Sequence, residues 1–215
     1  MDPLDRQREY WDRVVDKKNF ANPLDFERFA RLVPKGGRVL DLGCGYGRIC
    51  GELLEAGWQH VAGVDISPEM IRRGRELYPG ADLRVLETDR VPFGDASFDA
   101  VLLFAVLTCV PGDAGQRSLI GEAERLLKPG GVIVVSDYPL QDNARNRARY
   151  AEFEKKYGAY GVFELPEGTV LRHHDMNYVE KLLSPFRRIE ITTQAVLTMN
   201  GHEAKIFQYY GRKAG

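Results

Sequence analysis

The sequence predicts an α/β fold, in which a doubly wound and mostly parallel β-sheet carries helices on both faces. Short aliphatic runs recur along the chain, each followed by a turn or a helical pattern, at residues 38–42, 61–65, 83–86, 100–104 and 132–136. Near-continuous apolar strands separated by helices are typical of a parallel sheet covered on both faces. Alternating polar and apolar residues at 188–193 and 205–210 then predict an antiparallel hairpin that closes the sheet.

Two helices are predicted before the first strand. Charged residues surround the first, over residues 4–17, and Trp11 is among its few apolar positions. The second, over residues 23–32, places Leu24 and Phe29 on a broad apolar stripe. A Pro-Lys-Gly-Gly turn at residues 34–37 separates this helix from the first strand.

Helix signals also occur between the strands. Ser67 stands before Pro68, which predicts an N-cap followed by proline at the first helical position. Residues 113–127 carry an apolar stripe, and the Lys-Pro-Gly-Gly sequence at 128–131 predicts the end of that helix. Residues 139–174 contain no clean strand pattern, so we expect an insertion that is largely helical around residues 144–157.

Composition narrows the possible functions. The 215 residues contain 30 Lys and Arg against 31 Asp and Glu, so no bulk positive charge attracts nucleic acid or an anionic membrane. The longest uncharged stretch has 13 residues, whereas a membrane-spanning helix needs about 20. The charged N-terminus lacks the apolar core of a signal peptide, and three cysteines suit a reducing compartment. A soluble, cytoplasmic protein is therefore expected, and its oligomeric state stays open.

The most informative segment is the glycine-rich turn after the first strand. Gly43, Gly45 and Gly47 form a G-x-G-x-G pattern between strand and helix, where glycines allow close approach of a ligand to the backbone. The spacing differs from the G-x-G-x-x-G of dinucleotide sites. Asp41 stands just before the first glycine, where a carboxylate suits a cationic ligand rather than a pyrophosphate. Asp65 ends the next strand, where a carboxylate accepts hydrogen bonds from ribose hydroxyls.

A ligand with a ribose, a positive charge and no phosphate is S-adenosylmethionine. Further motifs along the chain point to the same ligand. Four motifs occur in order over residues 36–138, namely VLDLGCGYGR (39–48), VDIS (64–67), VPFGDASFDAV (91–101) and LLKPGGVIVVSD (126–137). In these motifs, their order and their spacing, the chain resembles the class I S-adenosylmethionine-dependent methyltransferases of the small-molecule type. The resemblance implies a Rossmann-like sheet of seven strands with an antiparallel last strand.

The resemblance also implies roles in cofactor binding. Asp41, Gly43, Cys44 and Gly45 are expected along the methionine part, Asp65 at the ribose and Ile66 against the adenine. The polar contact to the adenine amino group is expected from Glu87 or Asp89, with a backbone contact from Thr88 nearby. Phe104, just past the fourth strand, is expected to border the cofactor. Trp11 is expected in a segment that folds over the cofactor, with plain core packing as the alternative.

The same reasoning divides the chain into one methyltransferase domain, residues 1–215, with four parts. These are an N-terminal helical lid (1–35), a cofactor-binding core (36–138), a substrate-side insertion (139–175), and a C-terminal helix with a β-hairpin (176–215). No metal is expected.

Acceptor binding and catalysis are assigned to the insertion and the final hairpin turn. His173, His174 and His202 are the predicted catalytic residues, as a base or proton relay; surface histidines beside a helix cap at Asp175 and a metal site are the alternatives. An aromatic cluster predicts the substrate site, with core packing as its alternative: Tyr138, Tyr150, Tyr157 and Tyr160.

The predicted function is methyl transfer from S-adenosylmethionine to an oxygen, nitrogen or sulfur atom of a small molecule. An RNA or protein methyltransferase is the first alternative, but Phe104-Ala105-Val106-Leu107 stands where N-P-P-Y-like elements for amino-group methylation occur. A non-catalytic module that binds S-adenosylmethionine is the second. The insertion, residues 139–175, holds six basic and six acidic residues, which favours a small acceptor over a polyanion.

Overall fold

The computed structural model describes residues 3–88 and 90–215. Seven α-helices are found in that part of the chain: α1 (Pro3–Val14), α2 (Phe26–Leu32), α3 (Arg48–Glu55), α4 (Pro68–Leu77), α5 (Asp113–Leu126), α6 (Ala144–Tyr157) and α7 (Met176–Leu182). The same residues form the strands β1 (Arg38–Leu42), β2 (His60–Asp65), β3 (Asp82–Val85), β4 (Phe98–Phe104), β5 (Leu127–Asp137), β6 (Val162–Glu164), β7 (Val170–Arg172), β8 (Phe186–Leu197) and β9 (Glu203–Lys213).

Seven of the strands form the main sheet, in the order β3-β2-β1-β4-β5-β9-β8. Pairing is parallel from β3 to β5, and β9 runs antiparallel to both of its neighbours. The order reverses between β1 and β4, which leaves a crevice at the carboxyl ends of these strands, where α/β sheets bind their ligands. The predicted α/β class, the seven strands and the antiparallel last strand are confirmed.

Side chains alternate across the sheet and feed two separate hydrophobic cores. On β4, Val101 and Leu103 pack into one core, while Ala100 and Leu102 pack into the other. All four are fully buried, because helices cover both faces of the sheet. This double cover explains why the central strands are apolar on both sides.

Helix starts agree with the capping signals. Ser67 accepts a hydrogen bond from Met70 N at the start of α4, and Asn143 accepts one from Asn146 N at the start of α6. The structure also differs from the sequence prediction in two places that matter for the cavity and its surroundings. Strand β5 already begins at Leu127 and includes the Lys-Pro-Gly-Gly residues, and the insertion contains the short antiparallel pair β6 and β7, where no strand was expected. Three-residue strands are too short to show a periodic pattern.

The N-terminal segment, residues 3–25, lies over the carboxyl edge of the sheet. Arg8 Nε donates to Ile66 O at 3.0 Å, and Ser67 Oγ donates to Asp12 Oδ1 at 2.5 Å. On its other side, Gln7 donates to Val170 O in the insertion. The segment therefore spans from the end of β2 to β7. None of the helices in residues 3–88 and 90–215 is long and apolar enough to cross a membrane.

Candidate functional site

A cavity of about 1180 Å³ lies at the carboxyl edge of the sheet. The glycine turn after β1, the ends of β2, β4 and β5, the N-terminal segment, the insertion and the β8–β9 turn all contribute to its lining. The cavity therefore has a glycine-turn end and an insertion end.

At the glycine-turn end, the backbone conformation requires glycine. Gly43 and Gly45 have φ angles of +81° and +54°, which residues with a β-carbon rarely adopt. A β-carbon at Gly43 would lie 2.7 Å from Val106, and one at Gly45 would overlap the Phe20 ring. Gly43, Cys44 and Gly45 all line the cavity, so the turn presents bare backbone to a ligand.

Asp65 occupies the position that the sequence assigns to ribose binding. Its carboxylate accepts hydrogen bonds from Gly45 N at 2.8 Å and from Ser67 N at 2.9 Å. These two bonds fix the carboxylate at the cavity wall, where Asp65 and the next residue, Ile66, both line the open space. Carboxylate oxygens that bind two N–H groups still have lone pairs for ribose hydroxyls.

Asp41 is buried at the base of the glycine turn. Its Oδ1 has no hydrogen-bond partner among the described residues, and Oδ2 lies 3.9 Å from Cys50 Sγ. The pKa of Asp41 is raised to about 7, mainly because the carboxyl is buried; Arg48 opposes the shift and the neighbouring Asp65 adds to it. A buried carboxylate oxygen that lacks a partner at a cavity wall fits a cationic ligand, such as the ammonium group of S-adenosylmethionine.

Three further predictions concern the rest of the cofactor. Phe104 and Trp11 both line the cavity. Glu87 and Thr88 are exposed and do not line the cavity. In this part of the chain the cavity is lined by Leu86 and Val91. Asp89, the remaining polar residue proposed for the adenine, lies outside the described residues.

At the insertion end, the cavity wall is aromatic. The Tyr138 and His173 rings are stacked with their centroids 5.3 Å apart, and Phe163 meets His173 edge-on at 4.9 Å. All three line the cavity. Tyr138 OH donates to Asn22 Oδ1 at 3.2 Å, which ties the wall to the N-terminal segment.

The fully buried Tyr150 sets the protonation of His173. Its hydroxyl accepts from Gln141 N at 3.2 Å and lies 2.5 Å from His173 Nδ1. The hydroxyl hydrogen has no other acceptor among the described residues, so it is donated to Nδ1. Burial lowers the pKa of His173 well below its ordinary value, so the ring is neutral and carries its proton on Nε2.

The two other predicted catalytic histidines have different positions. His174 is fully buried and does not line the cavity; Gln116 Nε2 lies 2.9 Å from its Nε2, and Tyr138 O lies 3.2 Å from its Nδ1. Its position therefore gives no support to a catalytic role, because both ring nitrogens face protein groups. His202 is exposed in the β8–β9 turn and lines the cavity rim.

The remaining predicted substrate residues are also divided. Tyr157 lines the cavity and donates to Glu164, whereas Tyr160 is 44% exposed and lies outside the lining. Tyr150 lies behind the wall, in contact with His173, rather than at the cavity surface.

Asn22 and Arg149 line the cavity but were not assigned to the site from the sequence, since neither belongs to a motif. From the sequence alone, Arg145, Arg147 and Arg149 could clamp a carboxylate or phosphate, but the acidic and basic neighbours in that segment favour a solvated face.

Comparisons with known proteins give the family of the chain. A family model described as a methyltransferase domain matches residues 40–135. The chain is 33% identical over 180 residues to a ubiquinone biosynthesis O-methyltransferase of Xanthomonas axonopodis pv. citri, covering 80% of this chain and 70% of that protein.

Solved structures show the same fold. A SAM-dependent methyltransferase from Methanosarcina mazei superposes with a TM-score of 0.83 at 24% identity, covering 90% of this chain and 99% of the other. A 1,6-didemethyltoxoflavin-N1-methyltransferase of Burkholderia thailandensis, solved with 1,6-didemethyltoxoflavin and S-adenosylhomocysteine, gives a TM-score of 0.59 at 21% identity and covers 84% and 72% of the two chains. The chain belongs to the class I S-adenosylmethionine-dependent methyltransferases, and S-adenosylmethionine is its cofactor.

Proposed function

We propose that this methyltransferase transfers the methyl group to a hydroxyl oxygen of a small aromatic molecule. The observation that carries the proposal is one continuous cavity, lined at one end by the glycine turn and at the other by Tyr138, His173 and Phe163. Flat aromatic molecules stack on such walls. The Xanthomonas relative, named as an O-methyltransferase, supports oxygen as the accepting atom.

At the glycine-turn end, Asp41 and Asp65 would hold the cofactor. Asp65 would bind the ribose hydroxyls, Asp41 would pair with the ammonium group, and the positive-φ glycines would let the methionine part lie against the backbone. S-adenosylmethionine supplies a methyl group that is already activated on a sulfonium, so the protein mainly aligns the two reactants.

The hydroxyl proton must leave during transfer to oxygen. His173 is poorly suited to accept it, because Nδ1 already accepts from Tyr150 and Nε2 carries a proton. His202 lies at the cavity rim with its ring exposed, so it is the proton acceptor in this proposal.

In this proposal each of the four predicted parts of the chain has its own role. Residues 1–35 serve as a lid, residues 36–138 bind the cofactor, residues 139–175 bind the acceptor, and residues 176–215 complete the sheet. The small acceptor needs no basic groove, which is consistent with the near-zero net charge.

The cofactor part is tested by calorimetry with S-adenosylhomocysteine. We expect Asp65→Asn to weaken binding at least about tenfold, because a charge-assisted bond to the ribose is lost. Asp82→Asn is the matched control, since Asp82 is exposed and pairs with Arg84. Absence of binding to the unsubstituted protein would overturn the proposal, as would equal binding by both variants.

The acceptor part is tested with isotopically labelled S-adenosylmethionine and a panel of phenols, catechols, anilines and thiophenols. Mass spectrometry locates the transferred methyl group. Transfer to a ring hydroxyl is expected; transfer confined to nitrogen or sulfur would contradict the assignment of oxygen.

A further inference from the structure

Arg149 is a cation on the cavity wall without a counter-charge. It is half-buried on α6, lines the cavity and makes no ion pair within residues 3–88 and 90–215. Its Nε is buried and lacks a hydrogen-bond partner. Burial also lowers the pKa of its guanidinium, although arginine remains charged in proteins. A half-buried guanidinium that lacks an anion is unfavourable unless a ligand provides one.

The guanidinium is held in place by the aromatic wall. Arg149 Cζ lies 3.4 Å from the centre of the Phe163 ring, and His173 meets the same ring edge-on at 4.9 Å. The protonated Nε2 of His173 has no hydrogen-bond partner among the described residues, and its ring lines the cavity. Two sets of N–H donors, one of them charged, therefore flank one aromatic ring.

Most other charges that line the cavity are already neutralised. Lys156 pairs with Glu164, Arg48 with Glu52, and Glu122 with Arg125. Arg6, Arg145 and Glu203 are exposed at the rim. What remains is a polarised cavity, with Asp41 and Asp65 at the glycine-turn end and Arg149 at the insertion end.

We propose that Arg149 and His173 form a carboxylate-binding subsite, so that the methyl acceptor is an aromatic acid. A carboxylate binds the planar guanidinium through two parallel hydrogen bonds, and His173 Nε2 donates a third. Anchoring at this point places the ring near Tyr138 at the cavity wall and leaves its far side toward the cofactor. The inference rests on the proposed function, because it specifies the acceptor of that site.

The subsite is tested with benzoate, with benzyl alcohol as its uncharged analogue. Binding is measured by ligand-observed NMR on the protein saturated with S-adenosylhomocysteine. A fragment of this size is expected to bind with a Kd on the order of 1 mM. Benzoate is expected to bind about tenfold tighter than benzyl alcohol, since only benzoate makes charge-assisted bonds.

Substitutions locate the effect. Arg149→Met keeps the stem against Phe163 and is expected to remove the preference for benzoate, while binding of benzyl alcohol stays unchanged. Arg149→Lys keeps the charge without the paired geometry and is expected to retain part of the preference. Arg147→Met is the matched control, because Arg147 is exposed on the same helix and pairs with Asp142.

The outcomes separate this inference from the proposed function. Benzoate that binds no tighter than benzyl alcohol, or that fails to bind at 20-fold the expected Kd, overturns the subsite even if S-adenosylhomocysteine binds. An equal loss with Arg147→Met overturns it too, because the effect would then come from general charge. Failure of S-adenosylhomocysteine to bind would instead overturn the proposed function itself.

Discussion

At the scale of single residues, burial of Asp41 makes cofactor binding dependent on pH. The pKa of Asp41 is raised to about 7 in the ligand-free protein, so the carboxyl is largely protonated at pH 6. An ammonium group beside it favours the ionised form and lowers that pKa. Binding therefore releases a proton at pH 6, and affinity rises as the pH increases through 7.

We predict that S-adenosylhomocysteine binds about tenfold tighter at pH 8 than at pH 6, as linkage to one group of pKa about 7 requires. Calorimetry at the two pH values, in buffers of different ionisation enthalpy, measures the affinity and the released proton. Burial also raises the pKa of Asp65, which acts in the same direction. Asp41→Asn should remove most of the dependence, and equal affinity at both pH values would refute the role of Asp41.

At the scale of elements, the β8–β9 turn carries the proposed proton acceptor. Its backbone is closed by a bond from Thr198 N to His202 O, and Lys18 donates to Asn200 Oδ1. These bonds place the His202 backbone at the cavity rim independently of its imidazole. The side chain can therefore be changed without moving the turn.

We predict that His202→Ala lowers kcat at neutral pH by about 10²-fold, the usual contribution of a general base, with no change in affinity for S-adenosylhomocysteine. Steady-state kinetics on an acceptor found in the phenol panel gives kcat, and His202→Gln provides a polar control that cannot act as a base. His60→Ala is the distant control, since His60 lies at the start of β2, away from the cavity lining. Unchanged turnover in His202→Ala would leave proton removal to solvent.

Elements that follow from local pattern were predictable from sequence, and contacts within the insertion were not. The run that ends at Leu42, the glycines after it and the cap at Ser67 are local signals, and each appears in the structure where the sequence places it. The bond between Tyr150 and His173 joins residues 23 positions apart. It depends on how α6 packs against β6 and β7, which no periodic pattern specifies.

At the scale of the whole molecule, the N-terminal segment contacts both ends of the cavity. Ser67 Oγ donates to Asp12 Oδ1 beside the ribose position, while Arg13 donates to Glu167 O in the insertion. The neighbouring Trp11 lines the cavity. A bound cofactor would thus fill space beneath α1 and stabilise this segment in its closed position.

We predict that S-adenosylhomocysteine slows amide hydrogen exchange in residues 6–20 as well as in the glycine turn. Local opening of a peripheral segment becomes rarer when a ligand binds only the closed form. Asp12→Ala removes the link to Ser67 and should leave residues 6–20 exchanging rapidly even with ligand bound, whereas Asp16→Ala, at an exposed position of the same segment, should behave like the unsubstituted protein. Hydrogen-exchange mass spectrometry resolves these peptides. Protection confined to the glycine turn would mean that residues 6–20 pack against the domain without responding to the cofactor, and the lid assignment of residues 1–35 would fall.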